Sequence, residues 1–172
     1  MTETASPRVI AAAALTQEAF APFGEVVSHR GANMRHYLER PFERSAQAEH
    51  PKLWVSSAST PKLFPLRIER VERHPYSAQT FIPLAVSRYL VVVAPDAEDG
   101  RPDASRAQAF IAAQGQGVCY GRGVWHHGLT VLDAPAEFAV LMSVRGEGDD
   151  EFVDLIEPLQ VGDTDGSMGA RA

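Results

Sequence analysis

The chain has 172 residues, of which 45% are hydrophobic and 22% charged, a composition typical of one globular domain. Its net charge is −6 at pH 7, so we expect no sequence-independent attraction to nucleic acid or to an anionic membrane. The single cysteine, Cys119, excludes an internal disulfide and a cysteine-rich metal site. The apolar run at residues 11–15 is too short for a signal core or a membrane span, so we expect a soluble, cytoplasmic protein.

The first part of the chain predicts one short helix and one strand. Thr16 is a suitable N-cap for a helix over residues 17–23, and Gly24 would end that helix. The segment 25–28 has the pattern of a first strand. Residues 31–44 are polar and of mixed charge, which predicts a mobile loop.

From residue 53 onward the pattern is that of β-structure, with short apolar segments separated by Pro, Gly or Asp. The predicted strands lie at residues 53–59, 66–74, 79–84, 88–94, 107–112, 117–120, 124–132 and 138–144. This spacing, with no helical period between the strands, predicts a mainly β, antiparallel barrel of the jelly-roll type with a few short peripheral helices. We expect the domain to span residues 8–158, with 96–103 as an exposed hairpin connection and flexible ends at 1–7 and 159–172.

Two short motifs carry the candidate chemistry, and the first is an E-x-H-x4-Q box formed by Glu72, His74 and Gln79. Residues two apart in a strand share a face, so Glu72 and His74 should project together. Pro75 and Ser77 favour a turn that would bring Gln79 onto the next strand. The three polar side chains would then cluster on adjacent strands.

The second motif is a G-x-G-x-x-H box that begins with Gly121 and Gly123 and ends at His126. The glycines allow a tight turn, after which His126 and His127 fall on opposite faces of a strand. We favour His126 for the barrel interior, although the alternation alone leaves His127 open.

The spacing of the second box resembles that of the second motif of cupin barrels, in which the histidine reaches the pocket. The resemblance implies a divalent metal bound by Glu72, His74, Gln79 and His126. Gln79 is the weakest member of this set, because a neutral amide is a poor ligand. A metal-free alternative uses His74, His126 and Gln79 as hydrogen-bonding and acid–base groups.

Longer runs around both boxes resemble the bacterial ureidoglycolate lyase family. The similar segments are residues 20–26, 72–84, 89–95 and 115–127, within a likeness that extends from about residue 8 to 156. The resemblance implies a cupin-like homodimer that splits (S)-ureidoglycolate into glyoxylate and urea in allantoin and purine catabolism. It also implies nickel as the metal, with no organic cofactor.

That reaction needs a base for the carbinol hydroxyl, an acid for the departing urea nitrogen and a cationic group for the substrate carboxylate. His74 and His126 are the candidates for base and acid, in an order that the sequence leaves open; as metal ligands they could not also move protons. For the carboxylate, Arg35 and Arg73 rank ahead of Arg88 and Arg122.

Tyr120 and Trp125 are further candidates for substrate binding, with core packing as the alternative role for Trp125. Two other functions stay open at this point. The same pocket would suit a non-catalytic sensor of a small acidic metabolite, or an enzyme of the same fold that acts on another hydroxy acid.

Overall fold

The computed structural model describes residues 6–31, 33–86, 88–133 and 135–163. Its strands are β1 Arg8–Ala14, β2 Gly24–Val27, β3 His50–Ala58, β4 Leu66–Arg73, β5 Gln79–Ala85, β6 Tyr89–Ala94, β7 Gln108–Ala112, β8 Gly117–Tyr120, β9 Trp125–His126, β10 Thr130–Val131, β11 Ala136–Val144 and β12 Glu151–Gly162. Helix α1, Gln17–Phe20, and a 3-10 turn, Ala104–Arg106, are the helical elements within these ranges. None of the described helices has the length and apolarity needed to cross a bilayer.

The strands form two sheets, one of which closes on itself. The first sheet has the order β10-β6-β7-β1-β12-β4-β9, and a further pairing of β6 with β9 completes a ring of six strands. The second is an open sheet with the order β2-β8-β5-β11-β3. The predicted cupin-like β-barrel is confirmed, with one exception to its antiparallel pairing: β1 runs parallel to both of its neighbours, β7 and β12.

The apolar core is divided by the strands of the ring, because successive side chains of a strand point to opposite faces. In β6, Val91 and Val93 pack with side chains of the open sheet such as Phe138, whereas Leu90 and Val92 pack with other ring residues. One core cluster therefore fills the space between the two sheets, and the other fills the ring.

Local sequence signals account for the start of the chain. Thr16 caps helix α1, its Oγ1 accepting a hydrogen bond from the backbone N–H of Ala19 at 3.2 Å. The helix ends at Phe20, three residues before the predicted end, because the segment that follows turns into β2. Gly24 opens β2 where a Cβ atom would lie 1.8 Å from the carbonyl oxygen of Cys119, so no larger residue fits this strand contact.

The predicted strands from residue 53 onward are present, but the first and last strands of the chain, β1 and β12, were missed. Strand β1 is rich in alanine, which has a low β propensity, and β12 contains Pro158, which interrupts its pairing with β4. The prediction of a flexible tail from residue 159 is wrong for residues 159–162, which pair with β1; residues 159–161 also pair with β4. The remaining residues predicted as flexible lie mostly outside the described ranges.

The predicted hairpin between β4 and β5 is also wrong, because the two strands belong to different sheets. The backbone groups of Tyr76 and Ala78 bond to Ser45 and Glu43, in the preceding loop, and so do not close a hairpin. Pro75 has no N–H with which to continue the β4 ladder. The chain therefore crosses from the ring to the open sheet, and Gln79 faces Glu72 across the space between the sheets.

Candidate active site

The short strand β9 is the element that brings the two sequence motifs together. His126 pairs with Glu72 of β4 on one side and with Val93 of β6 on the other, at the point where the ring closes. Residues directly opposite in an antiparallel pair project to the same side, so His126 and Glu72 share a face. His74 lies on that face because it is two residues beyond Glu72.

The side chains of Glu72, His74 and His126 form one cluster, whose potential ligand atoms all lie within 4.8 Å of one another. The two imidazole rings are 5.1 Å apart between centroids, and they are 3% and 1% exposed, respectively. The Nε2 atom of His126 lies 3.7 Å from Oε1 of Glu72, which is too long for a hydrogen bond. The predicted convergence of residues 74 and 126 is therefore present, and His126, not His127, is the member of the cluster.

Acceptors behind the two rings determine which imidazole nitrogen carries the proton. The Nδ1 atom of His126 lies 2.9 Å from the carbonyl oxygen of Val124, and Nδ1 of His74 lies 2.9 Å from Oδ1 of Asp150 and 3.3 Å from the carbonyl oxygen of Asp149. These oxygens only accept, so in the neutral rings Nδ1 must be the donor. Both Nε2 lone pairs then face the cluster, where neither atom has a hydrogen-bond partner.

Burial also sets the charge of the cluster. Desolvation, together with the neighbouring His74, lowers the pKa of His126 to about 3, so this ring is neutral at pH 7. Desolvation raises the pKa of Glu72; the nearby His74 opposes this shift and Asp150 adds to it. Because His126 is neutral, its contact with Glu72 is not an ion pair. The Nε2 lone pairs of both histidines are therefore left without a partner inside the cluster.

A cavity of about 550 Å³ opens beside the cluster, between β4 and the inner face of the open sheet. Gln79 lines it from β5, where its Nε2 donates to the sulfur of Met142 at 3.7 Å and its Oε1 has no partner. The other lining residues are Lys52, Trp54, Glu72, His74, Met142, Val144, Gly146, Gly148, Asp149, Asp150 and Phe152. The cavity is thus polar at its base and apolar along one wall.

The residues predicted to bind substrate, Tyr120, Trp125 and Arg73, do not line this cavity. The ring of Tyr120 stacks on His126 at 4.0 Å between centroids, directly behind the cluster. Trp125 points to the opposite side of β9, where its Nε1 donates to Asp96 at 2.9 Å. Arg73 lies over the Trp125 ring at 4.3 Å and pairs with Glu151 at 2.6 Å.

The other three arginines do not line the cavity. Arg35 is exposed in the loop before β3, Arg88 pairs with Asp133 at 3.1 Å, and Arg122 is exposed beside Gly123. The guanidinium groups ranked for the carboxylate are therefore not among the residues that surround the cluster.

Two cavity residues, Lys52 and Asp150, were not singled out from the sequence. In β3, Lys52, Leu53, Trp54 and Val55 alternate between faces that are both exposed, so apolar periodicity gives no inward side. Asp150 lies in an acidic, glycine-rich loop whose path is fixed by tertiary contacts. The backbone N–H groups of Arg145 and Gly146 both donate to the Asp149 carboxylate, at 2.7 Å each.

The chain matches the family model described as Ureidoglycolate lyase over residues 7–161. It is 46% identical over 139 residues to a ureidoglycolate lyase of Burkholderia cepacia, covering 74% of this chain and 75% of that protein. This chain belongs to the ureidoglycolate lyase family. A second member, from Chelativorans sp. strain BNC1, is 39% identical over 166 residues, 90% of this chain and 96% of that protein. A ureidoglycolate lyase of Schizosaccharomyces pombe is 36% identical over 168 residues, covering 83% and 88%. The resemblance predicted from the motifs is confirmed.

Proposed function

We propose that this protein is a ureidoglycolate lyase, a carbon–nitrogen lyase of the amidine-lyase type that cleaves (S)-ureidoglycolate to glyoxylate and urea in purine catabolism. Membership of the family supports the substrate. The observation that carries the chemistry is the cluster of Glu72, His74 and His126, in which both Nε2 lone pairs lie buried and unpartnered beside an open cavity.

The reaction moves one proton from oxygen to nitrogen. The carbinol hydroxyl loses its proton and becomes the aldehyde oxygen of glyoxylate; the C–N bond breaks, and the departing urea nitrogen takes both the bonding electrons and a proton. The hydroxyl releases one proton and the urea nitrogen takes up one. One acid–base group within reach of both atoms can therefore serve both steps.

His74 is the histidine better suited to carry that proton in a metal-free site. Its Nδ1–H faces the Asp150 carboxylate, so its Nε2 is free to accept the hydroxyl proton, and the carboxylate would balance the charge of the imidazolium. His126 is neutral at pH 7, with its one N–H bonded to Val124, and so cannot donate from Nε2 before it has accepted a proton. We assign His126 to binding a metal, or to accepting a hydrogen bond at Nε2 from an O–H or N–H group of the substrate.

The same residues fit a divalent cation. Two imidazoles that present Nε2 and are held from behind at Nδ1, beside a carboxylate, form a donor set suited to nickel or a similar ion. The 3.7 Å between His126 Nε2 and Glu72 Oε1 is within the roughly 4 Å that separates two ligands bound at about 2 Å each. When bound, the ion would polarise the hydroxyl and carboxylate oxygens of the substrate.

With both histidines and one Glu72 oxygen used as ligands, the second carboxylate oxygen of Glu72 would be the remaining proton carrier. Its pKa is raised by burial, which brings this carboxyl closer to neutrality than an exposed glutamate. The unpartnered Oε1 of Gln79 would accept a hydrogen bond from a urea N–H and orient the leaving group. We propose a homodimer, as the family resemblance implies; the exposed Leu53, Val55 and Leu84 would suit such a contact.

The experiment that tests this proposal follows glyoxylate release from racemic ureidoglycolate by the purified protein. We expect turnover that stops when about half of the racemate is consumed, because one enantiomer is the substrate. Treatment with a chelator should abolish the activity, and added nickel should restore it.

The outcomes of this assay distinguish the lyase from the alternative functions, and the metal-assisted mechanism from the metal-free one. Background activity in the untreated and nickel-loaded protein contradicts the proposed function and favours a sensor or another hydroxy acid. A rate that is unchanged by exhaustive chelation contradicts the metal-assisted version and leaves His74 as the proton carrier.

A further inference from the structure

The cavity beside the histidine cluster has an acidic base and one cationic wall residue. Glu72, Asp149 and Asp150 contribute carboxylates, and Lys52 is the one lysine or arginine among the described residues that line it. An anionic substrate entering this cavity meets repulsion on the β4 side, so it requires a positive group on the opposite side.

Strand pairing fixes the side from which Lys52 approaches. Lys52 on β3 is opposite Met142 on β11, and Met142 is in turn opposite Gln79 on β5. Cross-strand partners project to the same face, so Lys52, Met142 and Gln79 form a row across the inner face of the open sheet. Lys52 is the member of this row nearest the edge, where the cavity meets solvent.

We propose that Lys52 binds the carboxylate of the substrate. This inference rests on the proposed function, because it assigns a group of ureidoglycolate to a residue of the same cavity. The ammonium group has no ion-pair partner among the described residues, while the arginines of the chain that pair with carboxylates do so elsewhere. With the carboxylate at Lys52, the hydroxyl and urea ends of the molecule point toward Gln79 and the histidine cluster.

Lys52 also has an ordinary structural explanation. Strand β3 is an edge strand, and lysine on an exposed edge discourages pairing with another chain. A lysine with only that role would leave substrate binding unchanged when replaced. The two explanations therefore differ in a measurable quantity.

The test compares Lys52→Gln with Lys52→Arg and with Lys62→Gln as a matched control. Lys62 is the other lysine of the chain, is exposed and does not line the cavity. Loss of a charge-assisted hydrogen bond predicts a fall of about tenfold to a hundredfold in kcat/KM for Lys52→Gln, mainly through KM. Lys52→Arg should recover part of the loss, and Lys62→Gln should match the wild type. Because Lys52 and Lys62 are both exposed, all three variants should fold.

A binding measurement keeps this inference separate from the lyase activity. Glycolate, which has the hydroxy acid group without the urea, and glycolamide, its uncharged counterpart, are titrated against each variant by ligand-observed NMR. We expect wild-type protein to bind glycolate better than glycolamide and Lys52→Gln to lose that preference.

The outcomes distinguish failure of the inference from failure of the proposed function. Turnover of ureidoglycolate with equal KM in wild type and Lys52→Gln overturns the role of Lys52 and keeps the lyase. Absence of turnover, together with Lys52-dependent glycolate binding, overturns the lyase and keeps the carboxylate site. Wild-type protein that shows no preference for glycolate overturns the role of Lys52 in either case.

Discussion

Two faces of the same pair of strands, β4 and β9, show opposite ways of placing polar side chains. On one face Arg73 and Trp125 point away from the cavity, and their polar atoms are satisfied: Arg73 pairs with Glu151, and Trp125 donates to Asp96. On the other face Glu72, His74 and His126 are crowded together, yet the Nε2 atoms of both histidines are buried without a partner.

The difference separates structure from function at adjacent positions in the chain. A buried polar atom without a hydrogen bond costs on the order of 1–3 kcal/mol, so a fold retains several in one place only when something else compensates. On the Arg73 face, the polar and charged groups bond to one another and connect strands to loops. The histidine face keeps its lone pairs available for a substrate or a metal.

Replacing His126 with alanine is the change expected to have the largest effect. It removes one of the two inward Nε2 atoms while leaving the strand pairing of β9 intact. We expect kcat/KM for ureidoglycolate to fall by a factor on the order of 10³. Activity is measured by glyoxylate release, with circular dichroism to show that the variant is folded.

The neighbouring histidine provides a matched control. His127 bonds through Nδ1 to the carbonyl oxygen of Arg70 and takes no part in the cluster, so His127→Ala should keep nearly full activity. His126→Gln retains more of the side-chain volume than alanine and should be as inactive as His126→Ala. Equal activity of the His126 and His127 variants would contradict a functional role for His126 in the cluster.

Replacing Arg73 with glutamine should give the opposite result, a loss of stability with little loss of activity. The guanidinium pairs with Glu151 and lies over the Trp125 ring, but it is partly exposed, so the expected loss is only about 1–2 kcal/mol in the free energy of unfolding. Urea denaturation measures this loss, and we expect kcat/KM to stay within about twofold of wild type.

Arg70→Gln on the same strand is the control for Arg73. It removes a solvent-exposed pair with Asp154 and should leave the free energy of unfolding the same as that of the wild type within experimental error. A large rise in KM for Arg73→Gln would instead support the sequence-based ranking of Arg73 as a carboxylate ligand, and it would argue against Lys52.

The two motifs could be read from the sequence because each is a local pattern. Alternation along a strand predicted that Glu72 and His74 share a face, and the glycines before His126 marked a turn. Their meeting point could not be derived from strand alternation, because it depends on β9, a strand of two residues, closing the ring. The resemblance to a family supplied that connection.

The parts of the site that were missed depend on contacts between distant segments. The sequence of residues 74–78 predicts a hairpin turn, but the backbone groups of Tyr76 and Ala78 bond to residues 43–45, and Gln79 therefore enters the other sheet. Lys52 lies in a strand whose two faces are both exposed, so hydrophobic pattern could not orient it. Arginine was favoured for the carboxylate on chemical grounds, but Arg73 and Arg88 are held by ion pairs elsewhere, and Arg35 and Arg122 are exposed away from the cavity.

Cys119 is a reactive group that is buried, like the two histidines, but it is not directed at a cavity. Its thiol contacts the carbonyl oxygen of Tyr120 at 3.9 Å, and desolvation raises the pKa of the thiol from its ordinary value of 9.0 to about 11. The neutral thiol is favoured in the folded state, so its contribution to stability is complete below pH 9 and is lost as pH rises from about 9 to 11.

The smallest expected effect is a difference between wild-type protein and Cys119→Ala in how the free energy of unfolding falls at alkaline pH. From pH 8 to pH 10, wild-type protein should lose about 1 kcal/mol more of its free energy of unfolding than Cys119→Ala loses. Tyr89 and Tyr120, whose pKa values are also raised by burial, are present in both proteins, so their contribution cancels in the difference. Urea denaturation at each pH gives the two profiles. Parallel profiles, or rapid alkylation of the native thiol at pH 8, would show that Cys119 is accessible to solvent. They would contradict the contrast between a thiol buried in the core and histidines directed at a cavity.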